Sequence, residues 1–180
     1  MDEPRADARE VTPGPGWLVR AAREDDVEAI CRFGETHVRA HYEPLIGPEH
    51  ADTQVARWWS TAYVGRAVSR GLVVVALAGD RLAGVAQRGH DGIDHVLYKL
   101  YVDPRDRGLG LGPHLVDAIE RDLPADARRL CVEHVAANVR AAAFYEREGF
   151  TVERVEASAV GDPALDVVWR ARSLHRTGRA

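Results

Sequence analysis

The sequence predicts a mixed α/β fold, a sheet with helices on both faces, and three observations carry that expectation. Segments of alternating or β-branched apolar residues interleave with segments whose apolar residues recur every three or four positions. The order reads strand, two helices, three strands, helix, strand, helix, two strands. At 180 residues the chain has the length of one ordinary domain and can bury a core without metals or disulfides. No internal repeat, long linker or apolar run of bilayer length interrupts it.

Taken in order, residues 1–15 are acidic and proline-rich, without the basic and apolar regions of a signal peptide, and read as a flexible tail. Residues 16–174 read as a single domain and 175–180 as a C-terminal tail. WLVRAA, from Trp17 to Ala22, is the first strand. Asp25 or Asp26 then caps a helix with Val27, Ile30, Cys31, Gly34 and Val38 on one face. HYEPLIGPEH, with two prolines, breaks that helix. A second follows, with Val55, Trp58, Trp59, Ala62 and Tyr63 at core spacing, until Gly71 ends it. LVVVALAGDRLAGVAQRG makes two strands around a tight turn at Gly79-Asp80, and HVLYKLYV makes a fourth. A helix with Leu111, Leu115, Ala118 and Ile119 on its apolar face runs to Leu123-Pro124, and RLCVEHV is the fifth strand. Asn138 caps the last helix, Gly149 ends it, and a hairpin turning at GDP closes the fold.

Composition excludes some partners. With 24 basic and 28 acidic residues the net charge is −4, and no basic run suited to nucleic acid appears; a membrane partner is equally unsupported. Cys31 and Cys131 lie in apolar stretches with no C-x-x-C spacing, which fits a reducing, cytoplasmic setting. Lys99 is the only lysine in an arginine-rich chain, a compositional skew that carries no functional weight at this level.

The chemistry concentrates in VDPRDRGLGLGPHLV, Val102 to Val116. Three glycines on alternate positions after Arg107, leading into a helix, present bare amides at a positive helix end, which suits phosphate. One ligand class is a dinucleotide, which requires G-x-G-x-x-G directly after a strand and an acid closing the next strand, where Glu133 sits. Here Pro113 stands in place of the third glycine and DPRDR separates strand from loop. The other class is an acyl-coenzyme A.

On that second point the sequence resembles the GNAT superfamily of acyl-CoA-dependent N-acetyltransferases. RGLGLG, Arg107 to Gly112, fits the family's R-x-x-G-x-G loop. One strand later, NVRAAAFYEREGF, Asn138 to Phe150, fits its N-x-x-A-x-x-F-Y-x-x-x-G-F helix, and KLYVDP resembles its fourth strand entering the loop. The resemblance implies a mostly antiparallel sheet splayed between strands 4 and 5, with acetyl-CoA as acyl donor in the splay. Amides of Arg107, Gly108, Leu109, Gly110, Leu111 and Gly112 would hold the pyrophosphate. The strand edge at Leu100, Tyr101 and Val102 would pair with the pantetheine arm, and Asn138 would hydrogen-bond it. Tyr145 would protonate the leaving thiolate. Arg105 and Arg140 would be secondary candidates for the adenosine-side phosphate. The helical spacing of Asn138, Ala141, Ala142 and Tyr145 independently places these four on one face.

The implied acceptor is a primary amine, on a small molecule or a peptide, attacking directly in a ternary complex. It must lose a proton, and Glu133, His134, His95 or water are the candidate bases; Glu133 and His134, adjacent on a strand, are expected to face opposite ways, so that at most one looks into the cleft. The first two helices would cover the acceptor, with Tyr42, Trp58 and Trp59 as an aromatic wall and Glu35, Glu43 and Glu49 hinting at a cationic acceptor. His37 and His41, one turn apart, are expected to line this cleft rather than bind a metal, and no metal site is expected. Family members often form homodimers. The rival readings are a non-catalytic acyl-CoA sensor and a Rossmann-like oxidoreductase.

Overall fold

The computed structural model describes residues 16–174, and the expected tails at 1–15 and 175–180 lie outside them. Seven strands, β1 (Trp17–Ala21), β2 (Val73–Ala78), β3 (Arg81–Asp91), β4 (Asp94–Val102), β5 (Arg129–Val135), β6 (Thr151–Glu156) and β7 (Val167–Ser173), form one sheet in the order β1-β2-β3-β4-β5-β7-β6. Every neighbouring pair is antiparallel except β4 and β5. A doubly wound dinucleotide fold, with its largely parallel sheet, is thereby excluded.

Helices cover both faces. On one side α1 (Val27–Phe33), α2 (Arg39–Ile46), α3 (Pro48–Trp58) and α4 (Thr61–Ser69) bury Ile30, Phe33, Val55, Trp59 and Val64 against Val75 and Val85. On the other, α5 (Leu111–Arg121) and α6 (Val139–Arg147) pack Leu115, Ile119 and Tyr145 over Leu97, Leu130 and Val132. Two independent apolar layers of this kind fix the register of each strand, because a one-residue slip would exchange its faces.

The first half of the chain departs from expectation in two places. Pro44 lies inside α2, and the break comes at Gly47, whose φ of +81° turns the chain into α3. A proline this near a C-terminus forfeits a single intrahelical bond, so the helix runs past it. The expected second helix is two, because Ser60 is extended and restarts the chain as α4. That restart rotates the stripe: Ala62 faces solvent, while Val64, Ala67 and Val68 take the core positions. A π-type turn, Gly34–Val38, links α1 to α2.

What positions the site is the end of β4. Gln87 opposes Lys99 but Arg88 opposes Leu97, so Tyr98 is an extra residue, a β-bulge that bends and twists its strand. β4 pairs with β5 only through His95, Val96 and Leu97, against Leu130, Cys131 and Val132. From Tyr98 onward the two strands diverge, and Glu133 to Val135 pair with β7 alone. The expected splay is present, and the bulge is its local cause.

Candidate active site

Two cavities open from this splay. The larger, about 550 Å³, lies between the end of β4, the glycine loop and α6. Its floor is anchored by groups that the sequence reading treated only as spacing. Asp103 Oδ1 accepts the Arg105 amide at 2.9 Å. Arg81 on β3 donates to Asp103 and Asp106 at 2.8 and 2.7 Å, and Trp17 Nε1 donates to Asp106 Oδ1 at 3.1 Å. DPRDR is therefore a clamp between strand and loop, built on two buried carboxylates whose charges are paired.

Beyond the clamp, Gly108 and Gly110 adopt φ of +77° and +93°, and Gly110 is the N-cap of α5. Side-chain-bearing residues rarely take this conformation, so the glycines let the chain turn along the cavity that they line. Gly112 differs: a Cβ there would stand 2.9 Å from the Phe144 ring, so its lack of a side chain serves the close approach of α5 to α6. Arg107 Nε donates to the Val102 carbonyl at 2.9 Å, tying the loop to the strand end. Leu100, Tyr101 and Val102 line the cavity, as do Arg140 and Ala141. The Leu109 side chain is 64% exposed and that of Arg105 is bound up with Asp103.

Across the cleft, Asn138 caps α6 by accepting the Ala141 amide at 3.1 Å, and its Nδ2 reaches His41 Nε2 at 3.1 Å. Tyr145 is buried between Phe144, Phe150 and the His134 ring, whose centroid is 6.1 Å away. Burial pushes its phenol well up, so it keeps its proton at any working pH.

The second cavity, about 410 Å³, is lined by Tyr42, Trp58, Trp59 and Tyr63 from the helical cover and by Tyr98 and Lys99 from the bulge. Tyr42, Trp58 and Trp59 form the expected aromatic wall, and Trp59 is at once a core residue, 4% exposed. His37 and His41 do not line it: His37 packs on Phe33 near Asp103, and His41 belongs to the first cavity. Glu35, Glu43 and Glu49 face solvent and line neither cavity, which removes their hint of a cationic acceptor.

Tyr42, Tyr98, Tyr101, Glu133 and His134 line both cavities, so the two meet at the open end of β5. The expectation that only one of Glu133 and His134 would face the cleft is corrected here. With β4 gone, both sides of the strand border open space. His134 has its nitrogens engaged: Arg170 Nε donates to Nε2 at 3.2 Å, and Nδ1 lies 3.0 Å from the Val135 carbonyl and so carries the proton. Burial lowers its pKa. Burial, with the charges of Glu156 and Asp91, raises that of Glu133. His95 sits at the closed end of β4, beside His90, and lines neither cavity. Cys31 and Cys131 also lie outside both, and burial raises each thiol.

Lys99 is the residue sequence reasoning passed over. It is 5% exposed, lies immediately after the bulge, and donates to Gln87 Oε1 beneath the rings of Tyr63 and Trp59. A lone lysine in a strand that otherwise reads apolar was the available signal.

Residues 69–152 match the family model of the acetyltransferase (GNAT) domain, a span containing β2 to β5, the glycine loop and α6. Over that span the chain is similar to the GNAT acetyltransferases. Solved GNAT-fold structures agree in architecture. PaiA N-acetyltransferase from Thermoplasma acidophilum, in complex with coenzyme A, is 15% identical over 88% of this chain and 99% of its own, with a TM-score of 0.74. An acetyltransferase from Thermus thermophilus is 18% identical over 88% and 97%, with a TM-score of 0.63. The ribosomal alpha-N-protein acetyltransferase RimL, in complex with coenzyme A, is 20% identical over 92% and 98%, with a TM-score of 0.68. Among curated proteins none matches the sequence. Within this GNAT fold no described helix is long and apolar enough to cross a membrane.

Proposed function

We propose that residues 16–174 act as one catalytic domain that transfers the acetyl group of acetyl-CoA to a primary amine. The observation that carries this reading is the meeting of the two cavities at Glu133 and the phenols around it. One cavity offers loop amides at a helix N-terminus, suited to a pyrophosphate, and the other offers an aromatic chamber suited to an organic amine. The GNAT domain match over residues 69–152 supports the donor, as do PaiA and RimL, both solved with coenzyme A.

In this reading the pyrophosphate rests on the amides from Arg107 to Gly112, and the pantetheine runs along Leu100 to Val102. Asn138 Nδ2 exchanges His41 for a pantetheine oxygen. The amine enters from the aromatic cavity and gives a proton to Glu133, whose raised pKa brings it closer to that of a working base. The nitrogen lone pair attacks the thioester carbon. When the tetrahedral adduct collapses the C–S bond breaks, Tyr145 hands its proton to the departing sulfur, and the second proton of the acylated nitrogen passes to the tyrosinate, leaving a neutral amide and a reprotonated phenol. His134, with both nitrogens bonded, holds the Tyr145 ring by stacking. Both cysteines lie away from the cavities and so offer no covalent carrier, which favours a ternary complex over an acyl-enzyme. Unpaired cysteines also fit a cytoplasmic setting.

The test is calorimetric titration with acetyl-CoA, coenzyme A and NADH, followed by thiol release against a panel of amines. Acetyl-CoA binding with amine-dependent thiol release is expected. Binding without release from any amine would favour a sensor, and NADH binding alone would overturn the reading.

A further inference from the structure

The aromatic cavity holds a cation that the transfer chemistry does not use. Lys99 Nζ lies 4.3 Å from the Tyr63 ring centroid and 5.1 Å from that of Trp59, with the Gln87 amide oxygen as its hydrogen-bond acceptor. Among the described residues no carboxylate stands within ion-pair distance of it. Its hydrogen-bond and ring partners are neutral, the neighbouring Cys31 thiol is kept protonated by burial, and burial lowers the Lys99 pKa to about 7. A buried cation without a counter-charge is costly, and an anion arriving from solvent would relieve that cost.

The surrounding groups are set for one. Gln87 Nε2 donates to the Tyr63 hydroxyl oxygen at 3.3 Å, which holds the amide with its oxygen on Lys99 and leaves the Tyr63 hydroxyl hydrogen free to donate. Lys99, Trp59 and Tyr63 line the aromatic cavity alone, whereas Glu133 lines both cavities. The cation thus lies away from the donor cleft and the acid lies at the junction. One positive charge suits a monoanion better than a phosphate dianion, and about 410 Å³ suits a molecule of amino-acid size.

We propose that Lys99 and Tyr63 form a carboxylate subsite, so that the acceptor is a small free amino acid held with its amine toward Glu133 and its carboxylate toward Lys99. This inference rests on the acetyl-transfer reading and narrows its acceptor.

The experiment compares matched pairs differing by one carboxylate: L-phenylalanine with 2-phenylethylamine, L-methionine with 3-(methylthio)propylamine, and L-leucine with isoamylamine. Binding is measured by calorimetry with and without coenzyme A, on wild type, Lys99→Met and Lys99→Arg. At least one carboxylate-bearing member is expected to bind wild type about tenfold or more tightly than its partner, as one charge-assisted contact supplies. Lys99→Met should erase that preference while leaving the amine partners unchanged, and Lys99→Arg should keep part of it. The subsite is overturned if the amines bind as well as the amino acids, if no amino acid binds, or if Lys99→Met keeps the preference. Acetyl-CoA affinity, measured on the same three preparations, reports on folding and on the transferase reading separately. A protein that binds acetyl-CoA and acetylates amines without regard to a carboxylate keeps the transferase and loses the subsite.

Discussion

The two cavities are built by opposite means. The cavity proposed for the donor is walled by the glycine loop, the end of β4 and α6 from Asn138 to Tyr145, with His41, Tyr42, Glu133 and His134 at its junction with the second cavity. The aromatic cavity proposed for the acceptor is made of side chains drawn from α2, α3, α4, β4 and β5. Backbone presentation of a common pyrophosphate demands particular residues at fixed spacing, whereas a side-chain wall can be assembled in many ways from distant positions. Substitutions should separate accordingly: loop changes should act on the donor whatever the acceptor, and cavity changes should act on the acceptor alone.

The largest effect should come where the cavities meet. Glu133→Gln is expected to lower kcat by about 100-fold or more, the usual cost of losing a general base. The pH profile sharpens the assignment. Because burial, Glu156 and Asp91 raise the Glu133 pKa above 4.5, wild-type kcat/KM should climb with pH through a value above 4.5. That acid limb should vanish in the glutamine variant, and its persistence would move the base elsewhere.

Next in size is Gly110→Ala, which forces a side chain into φ of +93° and disturbs the N-cap of α5. Strain of about 1–3 kcal/mol corresponds to roughly 10- to 100-fold weaker acetyl-CoA binding, read by calorimetry, with the relative rates among acceptors unchanged. A shift in acceptor preference would break the separation of the two regions.

Lys99→Met should move stability in the unusual direction. The folded pKa of about 7 lies below the unfolded value of 10.5, so the fold disfavours the protonated form. That penalty is fully present below pH 7 and is relieved as pH rises from 7 to 10.5. The methionine variant should therefore gain about 2 kcal/mol at pH 6, the ring contacts offsetting the rest, with the gain shrinking toward pH 10 in denaturant melts. A loss of stability at pH 6 would mean that the ring faces alone satisfy the charge.

The smallest effect is assigned to Tyr145→Phe, about tenfold in kcat with acetyl-CoA affinity retained, because a thiolate leaves readily even without a proton. Since burial raises the phenol, wild type should show no alkaline limb from this group.

The same contrast explains what could be read in the sequence. The element order, the splay and the glycine turn into α5 were legible because turn glycines, the Asn138 cap and helical periodicity are local signals. The break at Ser60 was not, since its neighbours continue an apolar stripe and only packing on the sheet decides where the helix restarts. The bulge at Tyr98 leaves no mark in HVLYKLYV, yet it bends β4 from β5 and sets Lys99 in the cavity. Strand alternation placed Glu133 and His134 on opposite faces; the missing neighbour strand opened both. Asp103 and Asp106 looked like loop filler until Arg81 and Trp17, far away in sequence, were seen to hold them.

The most direct test of the central claim, that donor and acceptor occupy two cavities at once and react across Glu133, is the initial-velocity pattern of thiol release with acetyl-CoA and an amine varied together. Intersecting reciprocal plots are predicted, as direct attack in a ternary complex requires. Parallel plots, with acetyl transferred to the protein in the absence of amine, would contradict it.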